Sequence, residues 1–223
     1  MALNDFVVNS PRPLPVIILC DTSGSMSVDG KIEALNEAVK QMIATFAKES
    51  RIRAEIQVGL ITFGKSVDRH LPLTAARDVT AIIPMRAEGQ TPLGEALNQV
   101  HLLLEDKEII PSRAYRPVIV LVSDGYATDD WESPMKALNL SARGSKASRI
   151  SMAIGQDADR PMLKDFINDP EAPLFEAQHA RDIHKFFRAV TMSVTTRTRS
   201  ANPELTAPVQ IQALPEDDEE LDF

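Results

Sequence analysis

Two stretches of this chain read as strands covered on both faces, and each ends in an aspartate. VIILC occupies 16–20 and runs into Asp21; PVIVLVS occupies 117–123 and runs into Asp124. An apolar run without polar alternation marks a central strand of a parallel sheet. Parallel neighbours need a crossover between them, and the chain supplies segments of helical spacing between its apolar runs. That spacing predicts helices over 31–50, 93–104, 131–144, 160–167 and 182–194, and a shorter one over 75–83. Further strands are expected at 57–63, 149–155 and 174–176. The run 66–73 follows 57–63 through Gly64 and Lys65, a link too short for a crossover, so it is expected antiparallel at an edge. The pattern predicts a three-layer, doubly wound α/β fold, its sheet mostly parallel with one antiparallel edge strand. Ligands of such sheets bind outside the carboxyl ends of the strands, where the strand order reverses. Asp21 and Asp124 both belong there if their strands are neighbours.

Two carboxylates in one crevice repel by about 4 kcal/mol at 4 Å in an effective dielectric of 20. A shared proton or a divalent cation would offset this. The surroundings favour the cation. Ser23 and Ser25 follow Asp21 at two and four places, and Gly24 lets a tight turn aim both hydroxyls at one spot. Carboxylates, hydroxyls and water are the ligands that Mg²⁺ or Mn²⁺ takes. A third segment, GQTPLGEAL, sets Thr91 in a loop before a helix, with Pro92 at its first position. Taken alone, Thr91 reads as an N-cap; beside the other two segments that reading weakens, because this loop also leads into the crevice.

DTSGS after an apolar strand, then TPLG before a helix, then a strand ending SDG, resembles the von Willebrand factor A family. These are the three segments of its metal-ion-dependent adhesion site, and the likeness covers roughly 16–194. The resemblance implies a Rossmann-like fold and an ion surrounded by Asp21, Ser23, Ser25, Thr91 and Asp124. It implies direct binding by the two serines and the threonine, with the aspartates bound directly or through water. It also implies an open coordination position filled by an acidic residue of a protein partner. The opening and the acidic tail look like the bacterial tellurium-resistance-associated, TerY-like subgroup. That likeness implies a Ser/Thr protein kinase and a PP2C-type phosphatase as associates.

The length of 223 residues suits one domain with extensions. The expected division is an N-terminal extension at 1–15, the domain at 16–197, and a flexible acidic tail at 198–223. The last eight residues, EDDEELDF, hold six acids; without them the net charge of −8 falls to −2. A body so nearly balanced lacks the clustered cations that phosphate binding needs, so no nucleic acid is expected. Arg181, Lys185, Arg188, Arg197 and Arg199 read as a solvated helix face. No apolar run approaches the ~20 residues of a membrane span, so no membrane is expected. The opening has no basic region before an apolar one, so no signal peptide is expected. A single cysteine, Cys20, excludes a disulfide framework and suits a cytoplasmic location. It reads as a buried small hydrophobe.

Enzymatic readings fare worse. A haloacid-dehalogenase phosphohydrolase needs a second carboxylate two places after its nucleophilic Asp, and here that place is Ser23. No G-x-S-x-G, H-E-x-x-H or P-loop occurs, and His70, His101, His179 and His184 have no evident path to the crevice. The expectation is a metal-dependent binding module rather than an enzyme, with an idle scaffold as the alternative within the binding class. After Asp124, Tyr126, Asp129, Asp130 and Trp131 stand where a partner-binding rim would be. Alternatively, Asp129 or Asp130 caps the next helix and Trp131 packs locally. Six hydroxyls within 190–200 offer a phosphorylation segment, or simply fill a helix end.

Overall fold

The computed structural model describes residues 11–49, 54–201 and 203–204. The acidic run at 216–223 and most of the N-terminal extension lie outside them. Five strands run parallel: β1 (Arg12–Asp21), β2 (Ala54–Phe63), β4 (Val118–Ser123), β5 (Ser148–Ile154) and β6 (Phe175–Ala177). The sixth, β3 (Val67–Ala75), lies antiparallel to β2 at one edge, as its short link requires. The order is β3-β2-β1-β4-β5-β6, so the winding reverses between β1 and β4. Asp21 and the residue after Ser123 therefore share the crevice at the switch point.

Alternation along β1 feeds two cores. Val16, Ile18 and Cys20 face one layer, built from α1 (Lys31–Ala47) and α5 (Ala180–Arg199) with Leu35, Val39, Phe46, Phe187 and Val190. Ile17 and Leu19 face the other, built from α2 (Leu93–Glu105), α3 (Glu132–Leu140) and α4 (Arg160–Ile167) with Leu97, Leu138 and Phe166. All five of these β1 side chains are fully buried, at about 1.5–3 kcal/mol for each large one. The doubly wound expectation is met in every layer.

Several local expectations change. No helix forms over 75–83; only a 3-10 turn, Ala76–Asp78, is present. The residue before Pro84 is biased away from helix, and the backbone here bonds to side chains instead. Asn36 of α1 accepts from Met85 N at 2.8 Å and donates to Met85 O at 3.0 Å, and His70 Nε2 meets Ile83 O at 2.6 Å. α3 stops at Leu140, and the expected stretch to 144 breaks into a 3-10 turn, Gly144–Lys146. β1 starts four residues early. Pro13 and Pro15 are tolerated because β4 pairs only from Val16 onward.

α5 outruns its expected span at both ends. Asp182 sits in its first turn and accepts from Gln178 N and His179 N, at 3.0 and 2.9 Å. Its C-terminal hydroxyls fill the helix: Thr191, Thr195 and Thr198 are buried and donate to Phe187, Met192 and Thr195 carbonyls. Arg197 is not on a solvated face. It is buried, donates to Pro203 O at 2.7 Å and pairs with Glu204. Glu204 also pairs with Arg12 at 3.5 Å and Arg116 at 4.0 Å, at the end of the sheet opposite the crevice. Among the described residues no helix is long and apolar enough to cross a membrane.

Candidate metal centre

Three loops build the crevice, and their backbones are locked together before any side chain enters. Thr22 N donates to Phe63 O at 2.8 Å, Glu88 N to Thr22 O at 2.8 Å, and Gly24 N to Gly89 O at 3.1 Å. Such close approach requires glycine at two places. A Cβ at Gly64 would lie 2.5 Å from Thr22 O; one at Gly89, where φ is +87°, would lie 2.5 Å from Lys65.

Asp21 ends β1 at the floor of the crevice, fully buried. Its Oδ1 accepts from Ser23 N at 2.8 Å and its Oδ2 from the Ser123 hydroxyl at 2.6 Å. Burial pushes its carboxyl above the ordinary range; the bonds from Ser123 and Ser23 pull it back, and the charge of Asp124 adds to the rise. Asp124 is 2 % exposed. Its Oδ1 accepts from the Ser25 hydroxyl at 2.7 Å, and Ser25 Oγ lies 3.0 Å from Ser23 Oγ. One bonded chain thus joins Asp124, Ser25 and Ser23.

Thr91 comes to the same place from the far side. A Cβ at Gly125 would stand 4.0 Å from both Ser25 Oγ and Thr91 Oγ1. Thr91 is held by its backbone: its N–H donates to Thr128 Oγ1 at 3.1 Å, and its carbonyl accepts from Thr128 N at 3.0 Å. It is not the N-cap of α2. Pro92 takes that position, with no capping side chain of its own, and the helix starts one residue later than the Pro92 expectation. The cap comes from another loop: Asp129 accepts from Gly94 N and Glu95 N at 2.9 and 3.0 Å. All five expected ligand residues therefore gather at the carboxyl ends of β1 and β4.

The rim residues divide. Asp129 braces the Thr91 loop instead of the helix that follows it. Asp130 caps α3, accepting from Ser133 N at 3.3 Å. Trp131 is the N-cap residue of α3 and packs against the α2–α4 core. Tyr126 remains 65 % exposed. A groove of about 680 Å³ runs between α3 and α4 and contains none of the five expected ligands.

Sequence reasoning missed two groups. Lys31, the first residue of α1, places its Nζ 2.7 Å from Asp124 Oδ2. Ser123, the last residue of β4, donates to Asp21 at 2.6 Å, shorter than the 2.8 Å bond from Ser23 N. The repulsion between the carboxylates is thus partly offset by the protein itself. Ser23 and Ser25 bond each other and Asp124, not a histidine. The Cys20 thiol, fully buried beside Asp21, is pushed up by desolvation and then by that neighbouring charge.

The donor set fits a hard divalent cation: two carboxylates and three hydroxyls, all oxygen, without nitrogen or sulfur. Among the described residues no three His, Cys, Asp or Glu side chains cluster as a metal site, and the oxygens beside the two carboxylates here are hydroxyls.

Solved structures share this fold. Proximal thread matrix protein 1 from the mussel byssus, with a zinc-occupied MIDAS motif, is similar at TM-score 0.64 and 17 % identity, over 82 % of this chain and 48 % of its own. A von Willebrand factor type A protein from Catenulispora acidiphila gives 0.62 and 20 %, over 83 % and 43 %. The ArnB paralog VWA2 from Sulfolobus acidocaldarius gives 0.60 and 14 %, over 82 % and 46 %. The chain spans about half the length of these proteins. The comparison with curated proteins gives no match. A family model, the von Willebrand factor type A domain, matches residues 16–189. With the reversal of winding at β1 and β4 and this match over most of its length, the chain belongs to the von Willebrand factor type A domain family.

Proposed function

We propose that this chain is a metal-dependent protein-binding module whose ion is held by Asp21, Ser23, Ser25, Thr91 and Asp124. The observation that carries the reading is the continuous bonding of Asp124, Ser25 and Ser23, with Thr91 facing them across Gly125. Domains of this family are commonly metal-dependent interaction modules, and the zinc-occupied motif of the mussel protein supports a divalent ion at such a site. The all-oxygen donor set favours Mg²⁺ or Mn²⁺. When bound, the ion supplies a Lewis-acidic position for an Asp or Glu of the partner. Neutral hydroxyls make up most of the donors, so the charge of the cation is not cancelled before that carboxylate arrives. Tyr126, exposed beside Asp124, is the rim residue free to meet the partner.

The same proposal takes the module as non-enzymatic and cytoplasmic. A dehalogenase-type phosphohydrolase is disfavoured because Ser23 stands where its acid would be. Membership of the TerY-like subgroup, with a kinase and a PP2C-type phosphatase as partners, is supported by the likeness of the opening and tail. A second reading is a scaffold with an idle site. One observation favours it: Lys31 already neutralises Asp124.

Pull-down from the native host's lysate in Mg²⁺ and in EDTA, with Asp21→Ala as control, tests the proposal. Proteins retained only by wild type and only with metal support it, and a kinase or phosphatase among them supports the subgroup. Identical retention in all samples sinks it in favour of the idle scaffold.

A further inference from the structure

Lys31 opens α1, shortly after the turn that carries Ser23 and Ser25. Its ammonium ends 2.7 Å from Asp124 Oδ2, while the Ser25 hydroxyl occupies Oδ1. Both oxygens of the carboxylate are therefore engaged by the protein. The Asp124 side chain is wholly shielded from solvent; that of Lys31 is 19 % exposed. The pair thus has one fixed buried end and one end that reaches water. A Cβ at Gly155 would stand 3.8 Å from Nζ, so the neighbour of the ammonium on the β5 side has no side chain to confine it. The lysine stem is long and flexible, and its head is well hydrated when released.

We propose that Lys31 is a built-in cation, which holds the crevice ordered without metal and must leave Asp124 when a divalent ion binds. The inference rests on the metal-centre reading above. An ammonium in contact with a carboxylate and a dication bound to the same group repel each other at short range. Metal binding is consequently a cation exchange. Its apparent affinity is the intrinsic affinity reduced by the fraction of molecules in which Lys31 is off Asp124; if that fraction is about one-tenth, the loss is about tenfold. Lys31 sets the metal threshold of the module, and the ion chosen has to outcompete it.

Calorimetric titration of the full chain with Mn²⁺ alone tests this, using Lys31→Met, Lys31→Arg and Lys40→Met. Lys40 lies on the same helix with its side chain 73 % exposed, so its variant loses the same charge away from the crevice. Lys31→Met is expected to bind Mn²⁺ about tenfold more tightly than wild type. Lys31→Arg and Lys40→Met are expected to stay within about threefold of wild type, because a displaceable cation remains at Asp124 in each. In EDTA, Lys31→Met is expected to melt below wild type, and saturating Mn²⁺ to close the gap. Equal or weaker binding by Lys31→Met overturns the role of Lys31 while leaving the metal centre standing. Equally tight binding by Lys31→Arg assigns the effect to packing, with the same result. Binding by none of the chains overturns the metal centre, and the inference with it.

Discussion

Arg149 on β5 and Asp124 at the end of β4 are buried charges on neighbouring strands, and the protein treats them in opposite ways. The Arg149 guanidinium donates to the carbonyls of Leu138, Gly144 and Phe166 and to the Asn139 side-chain oxygen, and lies 5.8 Å over the Phe166 ring. Leu138, Asn139 and Phe166 stand in the last turns of α3 and α4, where helix dipoles are negative. Burial pushes its pKa down to about 10, which still leaves it charged at neutral pH. Every acceptor is backbone or amide, fixed by the fold. Asp124 instead has as partners a hydroxyl and the ammonium of a partly exposed lysine, proposed above to exchange for a metal ion. A buried charge held by helix ends is a staple; one held by replaceable side chains marks a site.

That contrast can be broken by substitution. Arg149→Met takes a charged donor from three carbonyls, of which Leu138 O keeps the Ser141 hydroxyl and Gly144 O keeps Ala147 N, and it unties β5 from α3 and α4. Several hydrogen bonds from a charged donor are lost at about 1.5–3 kcal/mol each, so the expected loss is about 3 kcal/mol or more, read by urea unfolding at neutral pH. Metal comes next. At a hundredfold excess over the dissociation constant, Mn²⁺ should stabilise wild type by about 2.7 kcal/mol and Asp124→Asn not at all. A stabilised Asp124→Asn protein would show that the ion binds elsewhere. Asp129→Ala removes the cap that one loop lends to α2, at about 1–2 kcal/mol, and should weaken Mn²⁺ binding by loosening Thr91. Unchanged Mn²⁺ affinity would separate the brace from the site. Least affected should be Glu176→Gln. This charge pairs with Arg160 at 3.1 Å on the surface, and its loss should leave the melting temperature within error.

The strands and the turn residues beside Asp21 and Asp124 were legible because they follow from local pattern; that β1 and β4 are neighbours was only a condition of that reading, and the five-residue set with Thr91 came from the family resemblance. Apolar runs, turn residues and strand ends are written in consecutive letters. Lys31, Ser123 and Asp129 were not, because their roles depend on contacts 93, 102 and 34–35 positions away in the chain. Nothing beside Lys31 distinguishes it from an ordinary first-turn lysine until Asp124 is seen opposite. The segment over 75–83 was misread for the same reason: His70 of β3 meets its Ile83 carbonyl, and Asn36 of α1 ties down Met85 just beyond it.

The Arg12–Glu204 contact has a practical consequence. β1 runs from Arg12 to Asp21, so the pole where Glu204 sits among three arginines lies about 30 Å from the crevice. Ser112 is exposed at that pole, lining a hollow with Arg116 and Glu204. Cys20 is buried and slow to ionise, so a Ser112→Cys thiol would react alone with a maleimide surface. Every molecule on such a sensor chip would point Asp124 and Tyr126 toward the flowing analyte, giving a uniformly oriented probe for unknown ligands.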